Sequence, residues 1–321
     1  MLPVDLSIVI PVYRSAATLR LLVERIRRVM DDQRLEYEVI LVDDGSPDAS
    51  WQVIAELHRE DPQHITGVQL MRNYGQHNAL MCGLRHSQGR YIATMDDDLQ
   101  NPPEELPRLY QHLQKADLDL VYGSYADKKH VAWRNLGSWI VNTFYGLTFR
   151  TGVTVTSFRM FTRPLAQSVF TYGLNFTFLD GLLAWNTQRI GEVPVEHHPR
   201  RVGRSGYSLG RLVVLALNLV TNFSLLPLQA FSLAGLVLSG IGMLGGLYYL
   251  VLHLLAAIEV PGYASIIVAL LTLGGFQLLG LGVLGEYIGR VHLNVNHKPQ
   301  YTERLILSPL TEPADPARKA A

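Results

Sequence analysis

Apolar residues follow two regimes along this chain, and the change comes near residue 210. Before it, short apolar runs alternate with amphipathic stretches. Leu6 to Val12 is a β-branched run with Pro11 near its end, and Tyr37 to Val42, Thr66 to Leu70 and Tyr91 to Met95 are of the same kind. Each reads as a buried strand. Thr18 to Met30, Ser50 to Arg59 and Gln76 to His86 carry apolar residues at helical spacing. Strands alternating with helices predict an α/β, Rossmann-like domain with a mostly parallel sheet and helices on both faces. In such sheets ligands bind beyond the carboxyl ends of the strands.

After residue 210 the pattern changes. No Lys or Arg occurs between Arg211 and Arg290, and the formal charges in that interval are Glu259 and Glu286. Two apolar runs fill it, from about Leu226 to Leu255 and from about Tyr263 to Ile288. Each exceeds the roughly 20 residues needed to cross about 30 Å of hydrocarbon. The connection between them holds Glu259, Pro261 and Gly262 and is too short for a domain. The pattern predicts a two-helix transmembrane hairpin. Arg200, Arg201, Arg204 and Arg211 precede it, and Arg290 and Lys298 follow, so both long flanks are expected in the cytoplasm. Gly242 and Gly246, and Gly285 and Gly289, have the spacing that lets membrane helices approach closely, although glycine is frequent in such helices anyway. Gly240, Gly242 and Gly245 spell G-x-G-x-x-G, but inside a lipid-length run they lack the strand and amphipathic helix of a dinucleotide site. The expected division is 1–208 as a catalytic domain, 209–296 as juxtamembrane and membrane helices, and 297–321 as a cytoplasmic tail.

Charge narrows the function classes. Among 321 residues, 28 basic and 28 acidic side chains balance, which gives no support to a nucleic-acid role. A single cysteine, Cys82, excludes an internal disulfide and a multi-cysteine zinc site. Leu6 to Val12 is too short for a signal peptide core and contains Pro11, so none is expected.

The candidate chemistry lies in two acidic clusters at strand ends. Asp43 and Asp44 close the second run, and Asp96, Asp97 and Asp98 close the fourth. Asp96 and Asp98 are two apart, so extended backbone would put both side chains on one face. Two close carboxylates repel unless a cation lies between them. Oxygen donors of this kind suit Mg²⁺ or Mn²⁺ held together with substrate phosphates. Asp43 and Asp44 could accept hydrogen bonds from a base or ribose, or serve the Asp-Gly turn that follows. Asp48 and Ser50 read as helix caps. His197 and His198 read as solvated rather than ligating.

Together, Ile10-Pro11-Val12-Tyr13, Val42-Asp43-Asp44-Gly45-Ser46 and Asp96-Asp97-Asp98-Leu99-Gln100-Asn101-Pro102-Pro103 resemble the family-2 glycosyltransferases of the A fold. The chain is similar to the polyprenyl-phosphate branch of that family, which includes dolichol-phosphate mannose synthase-like enzymes. Arg72-Asn73-Tyr74-Gly75-Gln76-His77, Leu99 to Glu105 and Gly285-Glu286-Tyr287-Ile288-Gly289-Arg290 are close to the pattern of undecaprenyl-phosphate aminoarabinose transferases.

This resemblance implies transfer of a monosaccharide from a nucleotide-sugar, a UDP-sugar first of all, to polyprenyl (undecaprenyl) phosphate. It also implies a bacterial inner membrane location with a cytoplasmic active site, a role in cell-envelope glycan or lipid A modification, and a homo-oligomer, a tetramer in relatives. The implied nucleotide contacts are Pro11, Tyr13, Asp43, Asp96 and Asp97, and the implied metal ligands are Asp96, Asp98 and Gln100. Asp98 and Arg159 are the implied catalytic residues, with Arg159 meeting phosphates. Arg200, Arg201, Arg204, Ser205 and Tyr207 are implied to meet the lipid phosphate. Two rival readings are a processive polysaccharide synthase, against which no Gln-x-x-Arg-Trp motif is present, and a nucleotide-binding membrane scaffold without catalysis.

Overall fold

The structure, a computed structural model, describes residues 4–125, 153–173, 177–198, 226–255, 262–296 and 299–309. They belong to two compact units. One comprises Met1–Leu212 with Pro299–Ala321, the other Val213–Lys298.

The first unit is built on strands β1 (Leu6–Val12), β2 (Tyr37–Asp43), β3 (Ile65–Leu70), β4 (Tyr91–Thr94), β5 (Leu120–Tyr125), β6 (Arg159–Thr162), β7 (Ile190–Val195) and β8 (Glu303–Leu307). Its helices are α1 (Leu19–Gln33), α2 (Ser50–Glu60), α3 (Gln76–His86), α4 (Leu106–Lys115), α5 (Arg163–Ser168) and α6 (Leu179–Asn186). The eight strands form one sheet in the order β7-β5-β6-β4-β1-β2-β3-β8. Strands β4, β1, β2 and β3 are mutually parallel, as the alternating pattern predicts. Strand β6 departs from it, running antiparallel to both β4 and β5, so the sheet is mixed. Its first residue, Arg159, consequently pairs with Thr94 at the carboxyl end of β4. β8 also departs from expectation. Residues 303–307 are not part of a free tail but an edge strand, antiparallel to β3.

Both sheet faces are covered. Leu6, Ile8, Ile10 and Val12 of β1 share one core with Leu19, Leu22 and Ile26 of α1 and Leu109 of α4. α1 buries six apolar side chains, each contributing up to about 1.5–3 kcal/mol. On the opposite face α3 lies so close to the sheet that a side chain at Gly83 would strike Val9, with Ile40 and Val42 nearby.

Gly45 fixes the turn after β2. Its φ is +66°, and a Cβ there would lie 2.6 Å from the Arg72 carbonyl carbon and 2.7 Å from the Asn73 nitrogen. Backbone atoms cannot yield as a flexible side chain can. Gly45→Ala is therefore expected to cost about 1–3 kcal/mol, lowering the thermal midpoint by about 2–12 °C. An unchanged midpoint in a thermal unfolding scan would reject this account of the turn.

The second unit contains α7 (Leu226–Leu254) and α8 (Tyr263–Val295), about 43 and 50 Å long. The rings of Phe231 and Phe276 stack between them at 5.0 Å, and Gly280 packs against Phe231. Large apolar side chains point outward along both, including Leu236 and Met243 on α7 and Leu270 and Leu278 on α8. Among the described residues, Leu228–Tyr248 is the one segment long and apolar enough to cross a membrane by length and hydropathy. A methyl group at Gly242, Gly246, Gly285 or Gly289 would meet nothing within 4 Å among the described residues. Among the described residues, the α7–α8 contact is made by Phe231, Phe276 and Gly280 and not by those small-residue pairs.

Candidate active site

The carboxyl ends of β1, β2 and β4 lie side by side, and the loops leaving them gather at that edge. β2 is tied to β1 there by the Asp44 N–H donating to the Val12 carbonyl at 2.9 Å. Between the loops is a cleft of about 360 Å³, lined by Pro11, Val12, Tyr13, Asp44, Asn73, Gly75, Gln76, Asp96 and Asp97. Its size suits a small-molecule ligand.

Adjacent aspartates do different work. Asp43 is fully buried and does not line the cleft; it accepts hydrogen bonds from the Ser46 N–H at 3.1 Å and from Gln69 Nε2 at 3.4 Å. It shapes the turn from below, where the resemblance implies a nucleotide contact. Asp44 lines the cleft and accepts the N–H groups of Tyr74 at 2.6 Å and Gly75 at 2.8 Å. It thereby fastens the 72–76 loop across the cleft. Burial pushes its carboxyl up to about 6, against the pull of those two hydrogen bonds and helped by the charge of Asp43. Asp48 accepts from the N–H and hydroxyl of Ser50 at the start of α2.

The second cluster is equally divided. Asp96 accepts from Gln76 Nε2 at 2.7 Å and Ser157 Oγ at 2.6 Å. Asp97 turns toward the end of β1, accepting the Tyr13 N–H at 3.1 Å. Asp98 is buried, and its Oδ1 accepts the Gln100 N–H at 3.1 Å, closing a turn in which Leu99 has φ +61°. Gln100 is bound to the end of the β7 segment: its carbonyl accepts the His198 N–H at 2.8 Å, and its side-chain amide donates to the His198 carbonyl at 3.5 Å. The His197 ring packs on Tyr125 at 4.1 Å, and Tyr125 donates to Asn101 at 2.8 Å. The chain thus enters segment 199–225 from a point anchored on the acidic loop. Arg200, Arg201, Arg204, Ser205 and Tyr207 themselves lie outside the described residues.

Arg159 occupies a different place from the phosphate contact that the resemblance implies. It is fully buried, with its guanidinium donating to Asp180, which also accepts the Tyr122 hydroxyl at 2.9 Å. Burial works against its charge, but Asp180 and Tyr122, with Asp96 further out, hold its pKa above the ordinary arginine value. The pair does not line the cleft; Arg159 is two residues from Ser157, whose hydroxyl donates to Asp96, and the arginine feels that carboxylate's charge.

Gln76, Asn73, Ser157 and Asp180 are site residues that the pattern of charges does not pick out. Gln76 and Asn73 fall inside a quoted motif. Asp180 could have been noticed as a lone acid in an apolar helix, since such a charge needs a buried partner.

The carboxylates of this loop are hard oxygen donors of the type a divalent cation takes, with Asp96 in the cleft wall and Asp98 buried outside the lining. Three successive carboxylates crowd one loop, and burial with the neighbouring charges of Asp96 and Asp98 pushes Asp97 up to about 6, against hydrogen bonds from Ser15 and Tyr13. A cation beside Asp96 and Asp98 would relieve that repulsion, and hard oxygen ligands suit Mg²⁺ or Mn²⁺. The raised pKa also has a stability consequence. Between about pH 4 and 6 the folded protein holds a proton on Asp97 that the unfolded chain releases, so this group's contribution declines as pH rises through that window. Asp97→Asn removes the penalty. Its thermal midpoint relative to the unsubstituted protein is expected to increase from pH 4 to pH 7, by an amount equivalent to at most about 3 kcal/mol. A difference constant with pH would refute the assignment.

An α/β fold with a mixed sheet, a carboxyl-edge cleft and an acidic loop at its floor is the architecture of an A-type sugar-transferring enzyme. Residues 7–170 match the model of glycosyl transferase family 2, and the chain belongs to that family. It is 35% identical over 315 residues to the undecaprenyl-phosphate 4-deoxy-4-formamido-L-arabinose transferase of Aeromonas hydrophila subsp. hydrophila, covering 96% of this chain and 95% of the relative. The proteins of the same name in Shewanella sediminis and Salmonella choleraesuis are also 35% identical, over 94% and 96% of this chain and 92% and 95% of theirs. Among solved structures, Staphylococcus aureus TarS 1–349 in complex with UDP-GlcNAc is similar with a TM-score of 0.48 and 18% identity, over 68% of this chain and 67% of that one. Mycobacterium tuberculosis glucosyl-3-phosphoglycerate synthase with Mn²⁺, UDP and phosphoglyceric acid gives 0.48 and 17%, over 68% and 76%. The protein is a glycosyltransferase.

Proposed function

We propose that this enzyme transfers one monosaccharide from a nucleotide-sugar, a UDP-sugar first of all, to undecaprenyl phosphate at the cytoplasmic face of a bacterial inner membrane. The observation that carries this reading is the extent of the likeness. Relatives named for undecaprenyl-phosphate transfer align over 96% of the chain, far beyond the family segment 7–170 and through both long apolar helices. α7 and α8 are read as a transmembrane hairpin. The absence of Lys and Arg between Arg211 and Arg290 and the outward apolar side chains support that reading. The product would serve cell-envelope glycan or lipid A modification.

Asp96 and Asp98, with Gln100 beside them, would hold a Mg²⁺ or Mn²⁺. When bound, the ion supplies charge neutralisation for the leaving nucleoside diphosphate. Pro11, Tyr13, Asp44, Asn73 and Gln76 would line the nucleotide's place, with Asp44 keeping the 72–76 loop closed over it. A lipid phosphate monoester, with a second pKa near about 6, is largely dianionic at neutral pH. It can attack the anomeric carbon without giving up a proton, so no side chain has to act as general base. Arginines among Arg200, Arg201 and Arg204, on a segment that leaves directly from the Gln100 contact, would hold that phosphate, with Ser205 and Tyr207 nearby. Arg159 serves as a positioning residue behind Asp96. The reaction is then one in-line displacement with inversion. NMR of the product's anomeric centre checks it: inverted configuration is expected, and net retention would exclude a single in-line displacement and overturn the scheme.

A further inference from the structure

At the edge of the sheet, away from the cleft, three chemically different side chains converge. Cys82 and His86 stand one turn apart on α3, at the i, i+4 spacing that puts them on one helix face. Glu303 is the first residue of β8. The Cys82 sulfur lies 3.4 Å from Glu303 Oε1, and His86 Nε2 lies 2.9 Å from the same oxygen. All three potential ligand atoms fall within 4.8 Å of one another. His86 is about 15 Å along the helix from Gln76, so this cluster is separate from the cleft.

We propose that Cys82, His86 and Glu303 form a zinc-type metal site that clips β8 to α3. The geometry supports it. With bonds of about 2.3 Å to sulfur and about 2.0 Å to nitrogen and oxygen, tetrahedral zinc spaces sulfur and oxygen about 3.5 Å apart and nitrogen and oxygen about 3.3 Å apart. The observed 3.4 and 2.9 Å need adjustments of a few tenths of an ångström, and the sulfur–imidazole pair, within 4.8 Å, closes to about 3.5 Å by rotation of the partly exposed His86 side chain. The donor types select the ion. Thiolate and imidazole favour Zn²⁺ or Co²⁺ over Mg²⁺, whereas the cleft offers only oxygen. Access is also provided: Cys82 is fully buried, while the His86 and Glu303 side chains are 24% and 29% exposed. Three protein ligands leave a fourth position for water.

Without a cation, burial and the adjacent Glu303 carboxylate keep the Cys82 thiol protonated. On binding, the ion takes the sulfur lone pair and the thiol proton leaves to solvent. His86 binds through Nε2, with its ring proton on Nδ1. The structural effect falls on β8, the strand by which the chain rejoins the sheet after α8. Its pairing with β3 is interrupted by a register shift at Gln69/Leu70, so a metal clip would secure an otherwise weakly held edge.

The test uses the full chain in detergent, stripped with chelator and titrated with Co²⁺ alone. A near-ultraviolet sulfur-to-cobalt charge-transfer band is expected, its intensity corresponding to one thiolate-bound Co²⁺ per chain and lost on displacement by Zn²⁺. Cys82→Ala abolishes the band. His86→Ala, at a partly exposed ring, and Glu303→Gln, nearly the same shape, weaken binding at least about tenfold. Asp98→Asn leaves band and affinity unchanged. Absence of the band in folded protein, or equal binding by His86→Ala, would show a hydrogen-bonded latch and overturn the proposal.

Discussion

Asp98→Asn is expected to reduce sugar transfer on the order of 10²-fold or more while leaving the fold intact. The asparagine oxygen can still accept the Gln100 N–H, so the turn at Leu99 keeps its closing hydrogen bond. What disappears is one negative charge next to Asp96 and Asp97. If that charge holds a cation against the departing diphosphate, several kcal/mol of transition-state stabilisation go with it, and about 2.7 kcal/mol already corresponds to 10²-fold. Raising Mg²⁺ or Mn²⁺ should recover part of the activity, because the lesion is in affinity for the ion. Asp96→Asn should behave worse. Asp96 accepts from Gln76 Nε2 and the Ser157 hydroxyl and, unlike Asp98, lines the cleft, so its substitution removes a charge from the cleft wall itself. A steady-state assay at several metal concentrations checks both. Near-normal rates for Asp98→Asn would remove this carboxylate from the reaction.

The second large effect is on stability. Asp180→Ala leaves Arg159 as an unpaired charge in a site where the arginine is 1% exposed. Breaking one partner of a buried ion pair costs about 3–5 kcal/mol, or a fall of about 6–20 °C in thermal midpoint. The Tyr122 hydroxyl loses its hydrogen bond to Asp180 in the same variant. Replacing both members, Arg159→Met with Asp180→Leu, should restore most of that stability, since apolar groups of similar volume avoid the desolvation penalty. Transfer should remain impaired in the double variant, because the packing behind Ser157 and Asp96 has changed. Differential scanning fluorimetry separates the outcomes. A single variant as stable as the parent would show that the pair contributes little to the fold.

Much of this architecture is legible from residue pattern because its physical causes are local. β1, β2 and β4 are buried on both faces and so read as largely apolar runs, interrupted by Ser7 and Glu38, while α1 shows its buried stripe as a helical period. What escapes has non-local causes. β6 is four residues long and begins with a buried arginine, whose burial makes sense only with Asp180 in place. β8 pairs with β3 across more than 230 residues of chain, and nothing in Glu-Arg-Leu-Ile-Leu itself says which edge it will find. The two acidic clusters are visible, but not how each divides its labour. Asp43 ends β2 and is held by Ser46 and Gln69, whereas Asp44 is the first residue beyond the strand and is held by the Tyr74 and Gly75 N–H groups, partners about 30 residues away that the pattern does not reveal. Similarly, Arg159 reads as a free cation until the acid that neutralises it is located.

The most direct measurement of the central reading is mass spectrometry of lipids extracted after incubating the purified full chain with undecaprenyl phosphate, a panel of nucleotide-sugars and Mg²⁺ or Mn²⁺. The expected product is undecaprenyl phosphate heavier by one sugar residue, appearing with one nucleotide-sugar and in step with released nucleoside diphosphate. A polymer, or nucleotide-sugar turnover that leaves the lipid phosphate unmodified across the panel, would contradict it.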